Sequence, residues 1–188
     1  MTLHVEFGPV QPFIAEARRT RDLWAGSYIL SYLMAHALCA ACKAGVVLKQ
    51  PAVDHDALFR AVQAWRERLP LPPLETATRI GSLPDRFEGE AQAVPHAAAI
   101  AEAAVGAWFD MWLHLADRIW FYLEQHGWPA NRETRRLWNE QIGTRSQRAF
   151  WTPRWTIGPY DAHRYRRWNF NAFSGLADQS GEKSTLGG

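Results

Sequence analysis

The sequence lacks the features that mark secreted, membrane-spanning and disordered chains. Only two of its 188 residues are cysteine, Cys39 and Cys42, so no disulfide framework can be built. No uninterrupted apolar run reaches about 18 residues, and the first residues form no signal peptide. Apolar residues make up 47% of the chain, which is a globular composition. We therefore expect a cytoplasmic protein with two buried, reduced thiols and no membrane contact.

Enzyme signatures are missing as well. The chain contains no Gly-x-Ser-x-Gly, no P-loop, no His-Glu-x-x-His and no Asp-Asp pair. His114 can share a helix face with Asp110 and Asp117, but that face lies opposite the apolar stripe of the helix and is typical of a solvated surface. The sequence therefore predicts no catalytic residue and no metal site.

Positive charge is scarce in most of the chain and concentrated in one segment. Residues 1–131 carry 11 basic against 14 acidic residues, whereas residues 132–168 carry nine arginines, no lysine and three acids. The planar arginine fork suits phosphate and carboxylate groups. Contact with a polyanion, ion pairs between subunits and a solvated arginine-rich surface all remain open for this segment.

Hydrophobic periodicity predicts an order of strands and helices. Leu3–Phe7 alternates apolar and polar residues, as a half-buried strand does, whereas the later apolar repeats follow a helical spacing. Asp54 is the expected N-cap of an inserted helix. In chain order we predict a strand at Leu3–Phe7, a helix at Gln11–Ala44, a strand at Val46–Leu48, the inserted helix at Asp54–Arg68, a strand–turn–strand or one bent strand over Thr76–Ile80 and Arg86–Ala91, a helix at His96–His126 and a strand at Phe150–Ile157.

Without the insertion this order is β-α-β-β-α-β, the split βαβ arrangement of ferredoxin-like folds. We therefore predict an α/β (α+β) ferredoxin-like domain over residues 1–173. A helical insertion occupies about residues 54–75, and residues 174–188 form a loose polar tail. The two long helices should pack on one face of an antiparallel sheet.

Aromatic residues give two further expectations. One apolar stripe along the last long helix is predicted to be buried throughout; it comprises Val105, Trp108, Trp112, Leu115, Ile119 and Tyr122. Ten tryptophans in 188 residues indicate either a core rich in aromatic residues or a surface that meets a partner. We expect an exposed aromatic patch among Trp138, Trp151, Trp155, Trp168 and Phe170.

The segment Gly8–Leu33 reads GPVQPFIAEARRTRDLWAGSYILSYL. It resembles the start of the first palm-like domain in the large, polymerase-like subunit of type III-B (Cmr-type) CRISPR effector complexes. Weaker similarities follow in the same order at Leu83–Phe87, at Trp138–Gln141 with Phe150–Trp155, and at Gly181–Gly188. The last resembles the family's zinc element, although Ser184 and Gly187 stand where that element has its first cysteine pair, so no structural zinc is expected.

The resemblance implies a degenerate, non-catalytic palm. The family's Gly-Gly-Asp-Asp centre and its HD nuclease have no counterpart in this sequence. Such a domain supports assembly of the complex and, only with a second palm, ATP binding for cyclic oligoadenylate synthesis. ATP with Mg²⁺ or Mn²⁺ is therefore expected only in the parent complex, and no cofactor is expected in this chain. The implied partners are the other effector subunits, the second palm and, indirectly, guide and target RNA.

Two sets of contact residues follow. By resemblance, the nucleotide or the partner palm is contacted by Gln11, Arg18, Arg19, Arg21 and Ser27. Arg18 is alternatively paired with Asp22, four residues on. A free-standing RNA-binding ferredoxin-like module is the alternative function, since aromatic side chains on such a sheet can stack with bases. Its RNA contacts, or else contacts to subunits, are Arg148, Trp151, Arg154, Trp155, Arg164, Arg166, Arg167 and Trp168.

Overall fold

The computed structural model describes residues 1–72, 81–144 and 150–158, together with the backbone of residues 171–172. These residues form five helices and five strands. They are β1 (Thr2–Glu6), α1 (Val10–Ala15), α2 (Thr20–Lys43), β2 (Val47–Gln50), α3 (Ala57–Glu67), β3 (Arg86–Glu90), α4 (Val94–Gln125), α5 (Arg132–Ile142), β4 (Arg154–Ile157) and β5 (Asn171–Ala172).

The strands form one antiparallel sheet in the order β2-β3-β1-β4-β5. β1 lies between β3 and β4, with Val5 opposite Phe87 on one side and opposite Trp155 on the other. β2 pairs with β3 across an irregularity between Leu48 and Gln50. The architecture is therefore α+β, as predicted.

The core lies between one face of the sheet and the long helices α2 and α4. Alternation along β1 sends Leu3, Val5 and Phe7 to this face, where all three are fully buried. Phe7 stacks on Trp108 of α4, with ring centroids 4.3 Å apart and planes inclined by 13°. Trp151, before β4, meets Trp108 edge-on at 5.5 Å. Aromatic rings thus join β1, α4 and the approach to β4.

α2 is long and apolar enough to cross a membrane, judged by length and composition, and lies near the N-terminus. Its second half nevertheless packs inside the domain: Leu33, Met34 and Leu38 are fully buried. A core helix passes the same test, and the burial of these side chains gives α2 that role.

The predicted helix Gln11–Ala44 is wrong in one respect, because the chain leaves helical geometry between α1 and α2. Arg19 is extended, at φ −137° and ψ 155°. The carboxylate of Asp22 accepts a hydrogen bond from the backbone N–H of Arg19 at 3.1 Å, which satisfies one of the free donors at the start of α2. The break lets α1 turn back, so that Ile14 lies against Gly26.

Two details of the remaining elements also differ from prediction. The N-cap of α3 is Asp56 and not Asp54, since Asp56 Oδ1 accepts from Phe59 N–H at 2.7 Å. α5 and β5 were not predicted, although Asn131 caps α5 by accepting from the backbone of Glu133 and Thr134. The predicted strand at Thr76–Ile80 and the predicted tail at 174–188 lie outside the described residues.

The predicted stripe of α4 is buried only in part. Val105 and Trp108 are buried, but Ile119 is 47% exposed and Tyr122 is 59% exposed. Thirty-two residues give a helix of about 48 Å. Near its end α4 buries another face instead: Trp120 is 6% exposed and its ring contacts Trp138 of α5.

The segment before β3 is held tightly against α2. A Cβ atom at Gly81 would lie 2.6 Å from the carbonyl oxygen of Ser27, so only glycine fits there. Ser31, 2% exposed, donates from Oγ to Leu83 C=O at 3.0 Å and accepts from Leu83 N–H at 3.2 Å. One hydroxyl therefore satisfies both backbone groups of a buried residue.

We expect Ser31→Ala to lower the free energy of unfolding by about 2 kcal/mol, because it leaves a buried N–H and a buried C=O without their partner. Urea denaturation measures this. Ser27→Ala is the matched control, one turn earlier on α2 and exposed, and should change stability by less than about 0.5 kcal/mol. Equal effects of the two substitutions would refute the role of Ser31.

Candidate nucleotide and subunit-contact surfaces

The five residues of the first predicted contact set lie on α1, on α2 and in the segment between them. All five side chains are exposed: Gln11 on α1, Arg18 and Arg19 between the helices, and Arg21 and Ser27 on α2. The backbone N–H groups at the start of α2 add partial positive charge here. The structure thus places these residues where a ligand or a partner can reach them.

The predicted pair of Arg18 with Asp22 is not formed. Arg18 precedes the first residue of α2, so the two are not one helical turn apart. The Asp22 carboxylate is instead 3.7 Å from Arg21 Nε and accepts from the backbone N–H of Arg19. The Arg18 guanidinium has no ion pair among the described residues.

Sequence reasoning missed an aromatic pair beside these arginines. Trp24 stacks on Tyr28, with centroids 5.6 Å apart and planes inclined by 18°. Trp24 remains 52% exposed. The spacing of four residues between Trp24 and Tyr28 on α2 was the available signal. A half-exposed stacked pair offers a flat apolar surface.

The face of the sheet away from the helices is polar. His4 Nε2 lies 3.0 Å from the carbonyl oxygen of Gly158, and its Nδ1 lies 3.6 Å from Glu88 Oε2. A cleft of about 570 Å³ opens beside them; it is lined by His4, Gln50, Pro51, Ala52, Pro84, Arg86, Phe87 and Glu88. The cleft combines one histidine, one arginine and one carboxylate, a mixed set of charges.

Carboxylates are not clustered at the sheet. Glu6, at the end of β1, lies opposite Arg86 of β3 and opposite Arg154 of β4. Cationic neighbours disfavour a divalent cation at this carboxylate. Within the described ranges, no group of three or more His, Cys, Asp or Glu could hold a metal ion. His114, Asp110 and Asp117 are all exposed, as expected of a solvated face.

The second predicted contact set is only partly described. Trp151 is 1% exposed and Trp155 is 9% exposed, so the expectation that they form an exposed patch is wrong. Both rings belong to the core, and α4 brings Trp108 and Trp112 edge-on against Trp151. Trp138 is half-buried against Trp120. Arg154 of the contact set is half-buried on β4, opposite Glu6 of β1. The other members of the contact set and of the expected exposed patch lie outside the described residues: Arg148, Arg164, Arg166, Arg167, Trp168 and Phe170.

Two thiols and one imidazole of α2 are perturbed by burial. Cys39 is buried and Cys42 is half-buried, and both are free. Burial raises the pKa of the Cys39 thiol to about 12, so this thiol is unreactive near neutral pH. His36 is fully buried, and burial, reinforced by the Arg66 charge, lowers its pKa to about 4.

The imidazole of His36 is held between three side chains. Arg66 Nη1 lies 3.3 Å from His36 Nδ1, so the guanidinium donates to an unprotonated nitrogen. The rings of Tyr32 and Trp65 meet the imidazole edge-on at 4.8 Å and 5.6 Å. His36 Nε2 is buried without a hydrogen-bond partner among the described residues. The neutral ring is therefore a packing element of the core.

Comparison with known proteins gives two findings. Residues 2–117 match the family described as "CRISPR-associated protein Cmr2, N-terminal". A curated relative, "CRISPR system Cmr subunit Cmr2" of Pyrococcus furiosus, is 56% identical over 36 residues. That stretch covers 19% of this chain and 4% of the relative's length.

Proposed function

The chain belongs to the family of the N-terminal region of CRISPR-associated protein Cmr2, and we propose that it is a non-catalytic, palm-like assembly domain of a type III CRISPR effector large subunit. In this proposal it contributes to ATP binding for cyclic oligoadenylate synthesis only when a second palm faces it. The match over residues 2–117 carries the proposal, since it covers β1 through most of α4.

The sheet supports the palm-like assignment. Neighbouring strands β2-β3-β1-β4 follow the order of a βαββαβ ferredoxin-like sheet, with α2 and α4 as the two crossover helices. α3 is then the inserted helix. β5 extends the sheet beyond the basic four strands.

The charges around β1 support a non-catalytic role. Nucleotidyl transfer by two divalent cations needs clustered carboxylates to bind both ions. The segment after β1 reads Gly8-Pro9-Val10-Gln11 and has no acid, while Glu6 lies between Arg86 and Arg154 in the sheet register. Asp56 is engaged as the cap of α3 and accepts from Ser82 Oγ at 2.5 Å.

The exposed end of α1 and α2 supports a contact to nucleotide or to the partner palm. Arg18, Arg19 and Arg21 place three guanidinium groups beside the amino end of α2, with Ser27 about two turns further along the helix. Arginine forks and helix amino ends both favour phosphate oxygens. In this proposal the chain alone does not enclose ATP, and the second palm supplies the other side of the binding site.

The test uses the purified chain, ATP and Mg²⁺ or Mn²⁺, with and without a protein carrying a Gly-Gly-Asp-Asp palm. We expect cyclic oligoadenylate only in the presence of that second palm, and about tenfold weaker ATP binding by the pair after Arg18→Ala or Arg21→Ala. Val47→Ser, an exposed change on β2, should leave ATP binding unaltered. Oligoadenylate made by the chain alone would refute the non-catalytic assignment.

An RNA-binding module is the alternative function, and the same preparation tests it. Trp151 and Trp155 are buried, which removes two stacking rings that this alternative invoked. An assembly domain predicts weak RNA binding by the isolated chain at every salt concentration. A steep linear fall of log affinity with log salt concentration would favour the RNA-binding module instead.

A further inference from the structure

One histidine outside the proposed contact surfaces joins two helix ends. His96 lies in the first turn of α4, and its Nε2 is 2.9 Å from the carbonyl oxygen of Ala44 at the end of α2. Its Nδ1 is 3.2 Å from the backbone nitrogen of Gln92, in the turn between β3 and α4. A single half-buried imidazole thus contacts the end of one crossover helix and the approach to the other.

The two contacts of His96 determine where its proton lies. The backbone N–H of Gln92 is a donor, so Nδ1 must accept and carries no hydrogen. The carbonyl of Ala44 is an acceptor, so Nε2 must donate. Only the neutral ring with its proton on Nε2 makes both hydrogen bonds.

The imidazole completes the cap at the end of α2. The backbone N–H groups of Gly45 and Val46 close a Schellman turn, donating to carbonyls of the last turn at 3.0 and 3.1 Å. The carbonyl of Ala44 receives the Nε2–H of the ring instead. Gly45 has φ 97°, and a Cβ atom there would lie 3.1 Å from Nε2. The ring therefore rests directly on the glycine that ends α2.

The same imidazole supplies the start of α4 with an acceptor. Ala93, the N-cap of α4, offers no side-chain acceptor, and Pro95 has no N–H. His96 is the third residue of the helix, the position from which a capping-box side chain reaches back to the preceding backbone. Its Nδ1 does so to Gln92, one residue before the N-cap.

The charged groups near this contact do not bond to the ring. Lys43 lies in the last turn of α2, Lys49 pairs with Glu90 at 3.0 Å, and the α-ammonium of Met1 donates to Ala91 C=O at 2.9 Å. The hydrogen bond from Lys49 holds the pKa of Glu90 below its ordinary value, so this carboxylate stays ionised where imidazoles titrate. Two hydrogen bonds to backbone groups, with no ion pair, therefore hold the imidazole in place.

We propose that His96 is a pH-dependent clasp between the end of α2 and the turn that joins β3 to α4. The neutral ring holds both. A proton on Nδ1 removes the acceptor of the Gln92 N–H and sets two donors against each other, which releases the turn. Nε2–H continues to donate to Ala44, where a positive charge at the carbonyl end of a helix is favourable. The clasp needs neither nucleotide nor a second palm, so it is independent of the proposed function.

Nuclear magnetic resonance of the ¹⁵N-labelled full chain, titrated from pH 7.5 to pH 5, tests the clasp. At pH 7.5 the ring ¹⁵N shifts of His96 should show the Nε2–H tautomer. As the ring gains its proton, the protection of the Gln92 amide against hydrogen exchange should fall about fivefold relative to the intrinsic rate at each pH, the equivalent of one hydrogen bond. The Val46 amide, bonded within the turn at the end of α2, is the internal control and should keep its protection.

His96→Gln provides the matched variant, because its amide offers one donor and one acceptor but does not titrate. Its Gln92 amide should show no such change with pH, although the Met1 α-ammonium is present in both proteins; circular dichroism checks that the variant folds. Four results would overturn the proposal: an Nδ1–H tautomer at pH 7.5, unchanged protection of Gln92 when the ring is protonated, an equal loss at Gln92 and Val46, and the same pH response in the variant.

Discussion

Trp108→Ala is expected to lower the free energy of unfolding by about 4 kcal/mol. Trp108 is fully buried, stacks on Phe7 at 4.3 Å and meets Trp151 at 5.5 Å. Its removal opens a cavity where β1, α4 and the segment before β4 meet. Since small domains are stable by only about 5–15 kcal/mol, this one change should remove a large share of the total.

Trp128→Ala is the matched control for this prediction. Trp128 follows α4 and is 53% exposed, so its removal should change stability by less than about 0.5 kcal/mol. Urea denaturation at pH 7, followed by circular dichroism at the helix band, measures both variants. A Trp108→Ala effect below about 1 kcal/mol would contradict the assigned core.

The second large effect is a loss of stability on acidification caused by His36. Its pKa is about 4 in the folded chain, below the ordinary 6.5, because burial and the Arg66 charge disfavour the imidazolium. Below pH 6.5 the unfolded chain binds a proton at this site that the folded chain does not bind. Stability contributed by the neutral ring is therefore complete above pH 6.5 and falls as the pH drops towards 4.

The expected loss over this window is about 3 kcal/mol, the free-energy equivalent of the pKa difference. His36→Gln removes the titrating group, so the variant should lose less stability than the parent between pH 6.5 and 4. The remaining groups titrate in both proteins, and comparison of the two curves isolates His36. Parallel curves would contradict a buried, neutral imidazole.

Local sequence signals were sufficient where one side-chain pattern decides an element. Leu3, Val5 and Phe7 alternate and form the buried face of β1, and the apolar repeat of the last long helix became α4. The segment around Gly8–Leu33 also pointed to the family that the match over residues 2–117 establishes. Periodicity needs only neighbours along the chain, so it can be read directly.

Elements that depend on capping were harder to predict. The break in the helix before Arg19 contains no glycine or proline that would mark it in the sequence. The extended backbone of Arg19 is stabilised by a hydrogen bond to Asp22, a residue that can also stand inside a helix, so the sequence did not reveal its capping role. α5 follows Asn131, an N-cap signal that went unused, and its first turn is completed by Thr134. Such hydrogen bonds are worth about 1 kcal/mol, comparable with competing local preferences.

The sequence by itself determined the strand and helix types, the basic character of the α1–α2 end and the membership of the family. Only the tertiary structure decided which aromatic rings are exposed. Trp151 is buried where Trp108 and Trp112 meet it edge-on. Ile119 lies on the same apolar stripe as Trp108 but is exposed, and the end of α4 buries Trp120 against Trp138 of α5 instead. Burial depends on which elements end beside each other, and periodicity along one helix holds no information about where its neighbours stop.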